Sequence, residues 1–148
     1  MNNLNSNQFD FNTFKVIFNK IISIGICDIL YLNKEYKKIV DKFVKAISVD
    51  NKKPAESFCF ILSEEFIKNT NKWQLEKLFL GLANYSTNFV NLHQYKKQTV
   101  ITNRNIARTY FAELINDNND HKVKIHYTNI CLWLDKITED YAIKNIEQ

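Results

Sequence analysis

The chain is predicted to be all-α, a compact single-domain bundle of five to seven helices. Three observations predict it. Apolar residues recur at three- and four-residue steps along most of the sequence, the period of one helix face. Gly25, Gly81 and Pro54 are the only glycines and proline, too few for the frequent turns of a sandwich or barrel. Eleven Phe, seven Tyr and two Trp in 148 residues supply enough large apolar surface for one packed interior.

Residues 1–9 are polar and read as a flexible tail, leaving 10–148 as the domain. Phe11, Phe14, Ile17, Phe18, Ile21 and Ile22 form the first stripe, with Asp10 or Asn12 placed to cap it. Gly25 and Cys27 then leave a kink, a turn or a continued helix equally open. The second stripe is Leu32, Tyr36, Ile39, Val40, Phe43, Val44 and Ile47, opposite a lysine-rich face from Lys34 to Lys45. Glu35 and Asp41 interrupt that face, so it reads as solvated helix surface.

After a turn at Asp50–Lys53, Pro54 suits the first position of a third helix, where its missing N–H costs nothing. Phe58, Ile61, Leu62 and Phe66 place that helix through to Asn69. Asn71 and Gln74 form a capping-box variant, and Leu75, Leu78, Phe79, Leu82, Tyr85, Phe89 and Leu92 carry one long helix to Tyr95. Gln98-Thr99-Val100-Ile101 is β-branched and reads as an extended connector. Thr102 or Asn103 then caps a helix with Ile106, Ala107, Tyr110, Phe111, Leu114 and Ile115 inward. The last stripe is Val123, Tyr127, Ile130, Leu134, Ile137 and Tyr141.

Composition excludes more functions than it suggests. The net charge of +4 is mild. Asn, Lys, Ile, Phe and Tyr have AT-rich codons, so their abundance points to an AT-rich genome (a phage, a mobile element or a microbe) rather than to nucleic-acid binding. The two isolated glycines build no phosphate loop. Cys27, Cys59 and Cys131 are far apart in apolar runs and read as buried free thiols of a reducing compartment. The N-terminus has neither the basic start nor the apolar stretch of an export signal, and no apolar run approaches the ~20 residues that span a bilayer. A cytoplasmic protein without membrane attachment is expected.

No catalytic constellation is apparent, and no enzymatic activity or cofactor is expected. Glu64-Glu65 and Glu139-Asp140 are adjacent acids, and helix neighbours point roughly 100° apart, so neither pair shares a face. His121 and His126 are poorly spaced for one metal, and Asp117 lies in a loop before His121. Phe89 one turn before His93, with a new helix following, resembles the globin family in coarse layout. That resemblance implies a haem or small-ligand sensor with His93 on the iron. The segment Ser63-Glu64-Glu65-Phe66 departs from it, and the globin corner motif has no counterpart.

The stretch from Leu92 to Ala112 contains no acid. Arg104 and Arg108, the chain's two arginines, share a helical face at i,i+4, and a guanidinium fork suits phosphate or carboxylate. Tyr95, Lys96, Lys97 and Tyr110 complete a candidate binding segment, with Thr102 and Asn103 at the helix start as an anion site. Solvation, or pairing with Glu113 or Asp117, is the competing account of the arginines. The expected function is a non-enzymatic binding protein: an adaptor, an inhibitor or an accessory subunit of a larger complex with an acidic protein partner. The alternative is a nucleic-acid-associated subunit whose Arg104/Arg108 face contacts an RNA or DNA backbone.

Overall fold

The structure, a computed structural model, describes residues 8–28, 34–90 and 96–147. Seven helices account for nearly all of them: α1 Phe11–Asp28, α2 Lys34–Ser48, α3 Lys52–Ile61, α4 Glu64–Asn69, α5 Lys72–Val90, α6 Lys97–Asp117 and α7 His121–Ile137. The last continues through a π-helical segment, Thr138–Ile143, into a final α turn, Lys144–Glu147. The all-α bundle is therefore as expected, with no strand among the described residues. No helix there is long and apolar enough to cross a membrane.

Six of these helices close a ring. α1 packs on α2, α2 on α3, α3 on α7, α7 on α6, α6 on α5, and α5 returns to α1. The centre is aromatic because α1, α2, α3, α5 and α7 each deliver a ring to it. Phe18 stacks on Phe43 with centroids 5.7 Å apart, Phe43 meets Phe58 edge-on at 4.9 Å, and Trp133 meets Phe14 edge-on at 5.2 Å. Such pairs each contribute about 0.5–1.5 kcal/mol beyond their burial. Phe9, inside the expected tail, joins this cluster through Trp133 and Phe14, and its N–H donates to Asp50 Oδ2 at 3.1 Å.

Local chemistry sets most helix starts. The Asp10 carboxylate accepts from the N–H groups of Asn12 and Thr13 at 3.0 and 3.3 Å, and Asn71 Oδ1 accepts from Gln74 N at 2.8 Å. The Gln74 side chain does not reach back to complete a capping box. It donates to Asp117 Oδ2 and accepts from Asn118, tying α5 to the end of α6. Gly25 lies within a continuous α1, and Phe79 fills the space a Cβ would need. At Gly81 a Cβ would come within 3.0 Å of the Phe111 ring, so glycine here permits the close approach of α5 and α6.

Several expectations are corrected. The helix through Phe66 breaks at Leu62, because the Ser63 hydroxyl accepts from Phe66 N and donates to Phe60 O, starting α4 afresh. Pro54 is the third residue of α3, still in the first turn where its N–H is dispensable. Gln98–Ile101 is not an extended connector but the first turn of α6. Val100 there is fully buried against Ala142 and Ile143, and this packing outweighs β-branched preference. Ile106 is exposed, and Tyr110 and Tyr141 are only half-buried. Cys59 is exposed and Cys131 half-buried, while the Cys27 side chain lies outside the described residues, as does Leu32.

Candidate functional site

The candidate segment on α6 is built differently from its expected form. With α6 starting at Lys97, Thr102 and Asn103 lie a turn and more inside it and offer no N-terminal anion site. Thr102 is exposed, while Asn103 Nδ2 donates to Asn88 Oδ1 at 3.0 Å. The buried side of α6 runs Val100, Ala107, Phe111 and Leu114, and Arg104 sits in that same stripe. Its side chain is only 17% exposed, not on an open face, and its Nη1 lies 3.6 Å from Glu139 Oε2 of the π-helical segment.

Arg108, one turn on, is 45% exposed, and its Nε donates to Asp135 Oδ2 at 2.9 Å. The other Asp135 oxygen accepts from the Tyr85 hydroxyl at 2.6 Å, and that hydroxyl also lies 3.3 Å from Cys131 Sγ. Burial, with Cys131 and Asp135 alongside, keeps Tyr85 in its phenol form. Burial likewise raises the Cys131 thiol, so it is not an activated nucleophile. Both arginines thus do meet carboxylates, but on α7 and its continuation rather than at Glu113 or Asp117. Glu113 pairs with Lys77 at 2.9 Å, and Lys77 also lies over the rings of Trp73 and Tyr110. Lys96 and Lys97 are exposed at the α6 start. Tyr95 lies outside the described residues.

The other expected sites fare as follows. His93 lies outside the described residues, and its neighbour Phe89 is fully buried against Phe11, Phe14 and Phe18 at 5.5, 5.9 and 6.2 Å. No three His, Cys, Asp or Glu side chains converge among the described residues. Glu64 pairs with Lys37 of α2 at 2.5 Å and Lys68 of its own helix at 2.7 Å. These bonds, Lys37's first, hold its carboxyl at about 2.

One polar pairing was not anticipated. Ser57 on α3 lies 2.9 Å from His126 Nδ1 on α7, and Asn129 Nδ2 donates to the same hydroxyl at 3.0 Å. The His126 ring also stacks on Phe60. Ser57 is fully buried, so a substrate has no path to its oxygen, and the trio acts as a helix-to-helix tie. Burial, then Lys122, lowers the His126 pKa, so the folded chain favours the neutral imidazole.

A second basic surface lies on the outer side of the ring, between α1 and α2. Val16, Ile17, Ile39 and Ala46 form the floor of a groove, and Lys20, Lys42 and Lys45 stand along its edges. No carboxylate lines it, and the three ammonium groups make no ion pair among the described residues. Val16 is 61% exposed there, with polar Thr13 marking one end. The sequence carries half of this signal, the lysine face of α2. The other half depends on which side of α1 comes to lie beside it.

Comparison with known protein families, curated proteins and solved structures finds no match to this chain.

Proposed function

We propose that the chain is a non-enzymatic helical binding protein that engages an acidic protein partner, as an adaptor, an inhibitor or an accessory subunit. The observation that carries this reading is the groove between α1 and α2: exposed Val16 beside half-buried Ile17 and Ala46 over buried Ile39, with lysines that make no ion pair among the described residues at its edges. Exposed apolar surface flanked by lysines favours a complementary acidic macromolecule over bulk water. The fold supplies a rigid backing, since Phe14, Phe18 and Phe43 lock α1 to α2 from inside.

The test is capture from the native host with three baits: wild type, Lys20→Glu/Lys42→Glu/Lys45→Glu, and Arg104→Glu/Arg108→Glu. A protein partner retained by wild type and lost with the lysine variant is the expected result. Retention by the lysine variant sinks the reading.

The nucleic-acid alternative rests on the α6 arginines, and phosphate would have to displace Glu139 and Asp135 from them. Anisotropy titrations with RNA and DNA at two salt concentrations separate the two. A face holding two to four phosphates gives a log–log salt slope of about −2 to −4 on a duplex. The expected outcome is no saturable binding at low salt. Such a slope, abolished by the arginine variant, would install the alternative.

A further inference from the structure

We infer, resting on the reading above, that the occupant of the α1–α2 groove is an amphipathic acidic α-helix of the partner protein. Three features of the groove select it. The groove runs between two packed helices, and the furrow of such a pair accepts the ridge of side chains on a third. Its floor is aliphatic and carries no aromatic ring, so a stripe of Leu, Ile or Val at i, i+3/i+4 and i+7 matches it. Its edges hold a lysine from α1 and two from α2, so carboxylates on both flanks of that stripe meet cations on both sides. Asp10 and Asp50 lie at the Thr13 end, where the Thr13 hydroxyl and Phe9 N–H bond to them. The acidic flanks of the visitor therefore belong toward the Lys20 and Lys42 end.

Competing occupants match less of this. A nucleic-acid strand uses cations together with aromatic stacking platforms, and an aliphatic floor offers no platform. An anionic bilayer meets exposed side chains that project outward, whereas Ile39 is buried at the groove floor.

The probe is a blocked synthetic peptide of about four helical turns, with a leucine stripe flanked by glutamates, added to the full chain. Three readouts accompany it: fluorescence anisotropy, peptide helicity by circular dichroism, and backbone amide shifts of the labelled protein. Controls are a scrambled peptide of the same composition, the same stripe flanked by lysines, a single-stranded oligonucleotide, and vesicles of anionic lipid. The expected result is saturable binding with a gain of helicity and shifts confined to α1 and α2 around Thr13–Lys20 and Ile39–Ala46. The scrambled peptide should bind about tenfold or more weakly. Lys20→Glu/Lys42→Glu/Lys45→Glu should lose the acidic peptide by a similar factor and gain the lysine-flanked one, which shows that the variant folds.

Equal binding of the scrambled peptide, shifts mapped elsewhere, or no saturable binding would overturn the inference. Oligonucleotide or vesicle binding at these residues without peptide binding would reassign the groove to that class. If the peptide fails while the lysine variant still loses its captured partner, the helix falls and the binding function stands. If that variant keeps its partner, the binding reading itself falls.

Discussion

The two basic regions of this molecule look alike on paper and differ in what faces them. On α6, Arg104 and Arg108 have the better chemistry for gripping an anion, yet α7 and its π-helical continuation set Asp135 and Glu139 against them. On α1 and α2, Lys20, Lys42 and Lys45 lie beside aliphatic side chains and make no ion pair among the described residues, although Asp41 sits one turn before Lys45. A cation already satisfied within the fold must give up its partner before binding another, while an unpaired one has nothing to surrender. Availability, rather than residue type, separates the two regions.

The largest effect tests the scaffold that both regions share. Phe43→Ala removes a fully buried ring stacked under Phe14 and Phe18, and should cost about 3–5 kcal/mol in denaturant unfolding. Because Phe43 ties α2 to α1, lysine-dependent binding should weaken with it. A neutral result would mean that the groove's backing is misassigned.

Asp135→Ala comes next. It strips an acceptor from both the Tyr85 hydroxyl and Arg108, and should cost about 2–3 kcal/mol. Replacing Lys20, Lys42 and Lys45 with alanine should leave stability within about 0.5 kcal/mol per site. If the two sets proved equal in urea titrations, the contrast between a neutralised and an available face would collapse.

A smaller effect appears with pH. Because folding lowers the His126 pKa, its contribution is complete above about 6.5 and is lost as pH falls through the folded value. Melting temperature should drop with pH in that window, and His126→Gln should flatten this part of the profile. The smallest effect belongs to Glu64, whose depressed pKa gives a contribution present above about 4.5 and lost as pH falls through about 2. Glu64→Gln should remove only that acid-limb component, since Lys37 is exposed and Glu64 half-buried, which keeps the pair's worth small.

Which face of each helix turns inward was legible from spacing alone, because the helical period is intrinsic to the backbone. Phe14, Phe43, Phe79, Phe111 and Leu134 are all buried where the stripes put them. Asp10 and Asn71 cap where short side-chain acceptors precede apolar runs. The misses cluster where contacts between distant segments outweigh local preference. α6 begins more than a turn early because Val100 packs on Ala142 and Ile143. Arg104 shares a face with Ala107, Phe111 and Leu114 by helical period, a sign that the pairing of Arg104 with Arg108 obscured. The break before Ser63 was carried by one hydroxyl able to cap and to end a helix at once. At α7 the π-helical segment shifts the register, so that Ala142 and Ile143 are buried and Tyr141 is not.

The sequence by itself determined an all-α chain with its apolar faces and most of its caps, since these depend on residues within one or two turns of each other. Only the tertiary structure decided which basic face is neutralised and which borders an open groove. Closing the ring brings α7 against α6 and α1 against α2, and the charges that meet there are far apart along the chain. Helix periodicity carries no information about which segment will lie opposite, so the counter-charge of a cation becomes readable only once the helices have packed.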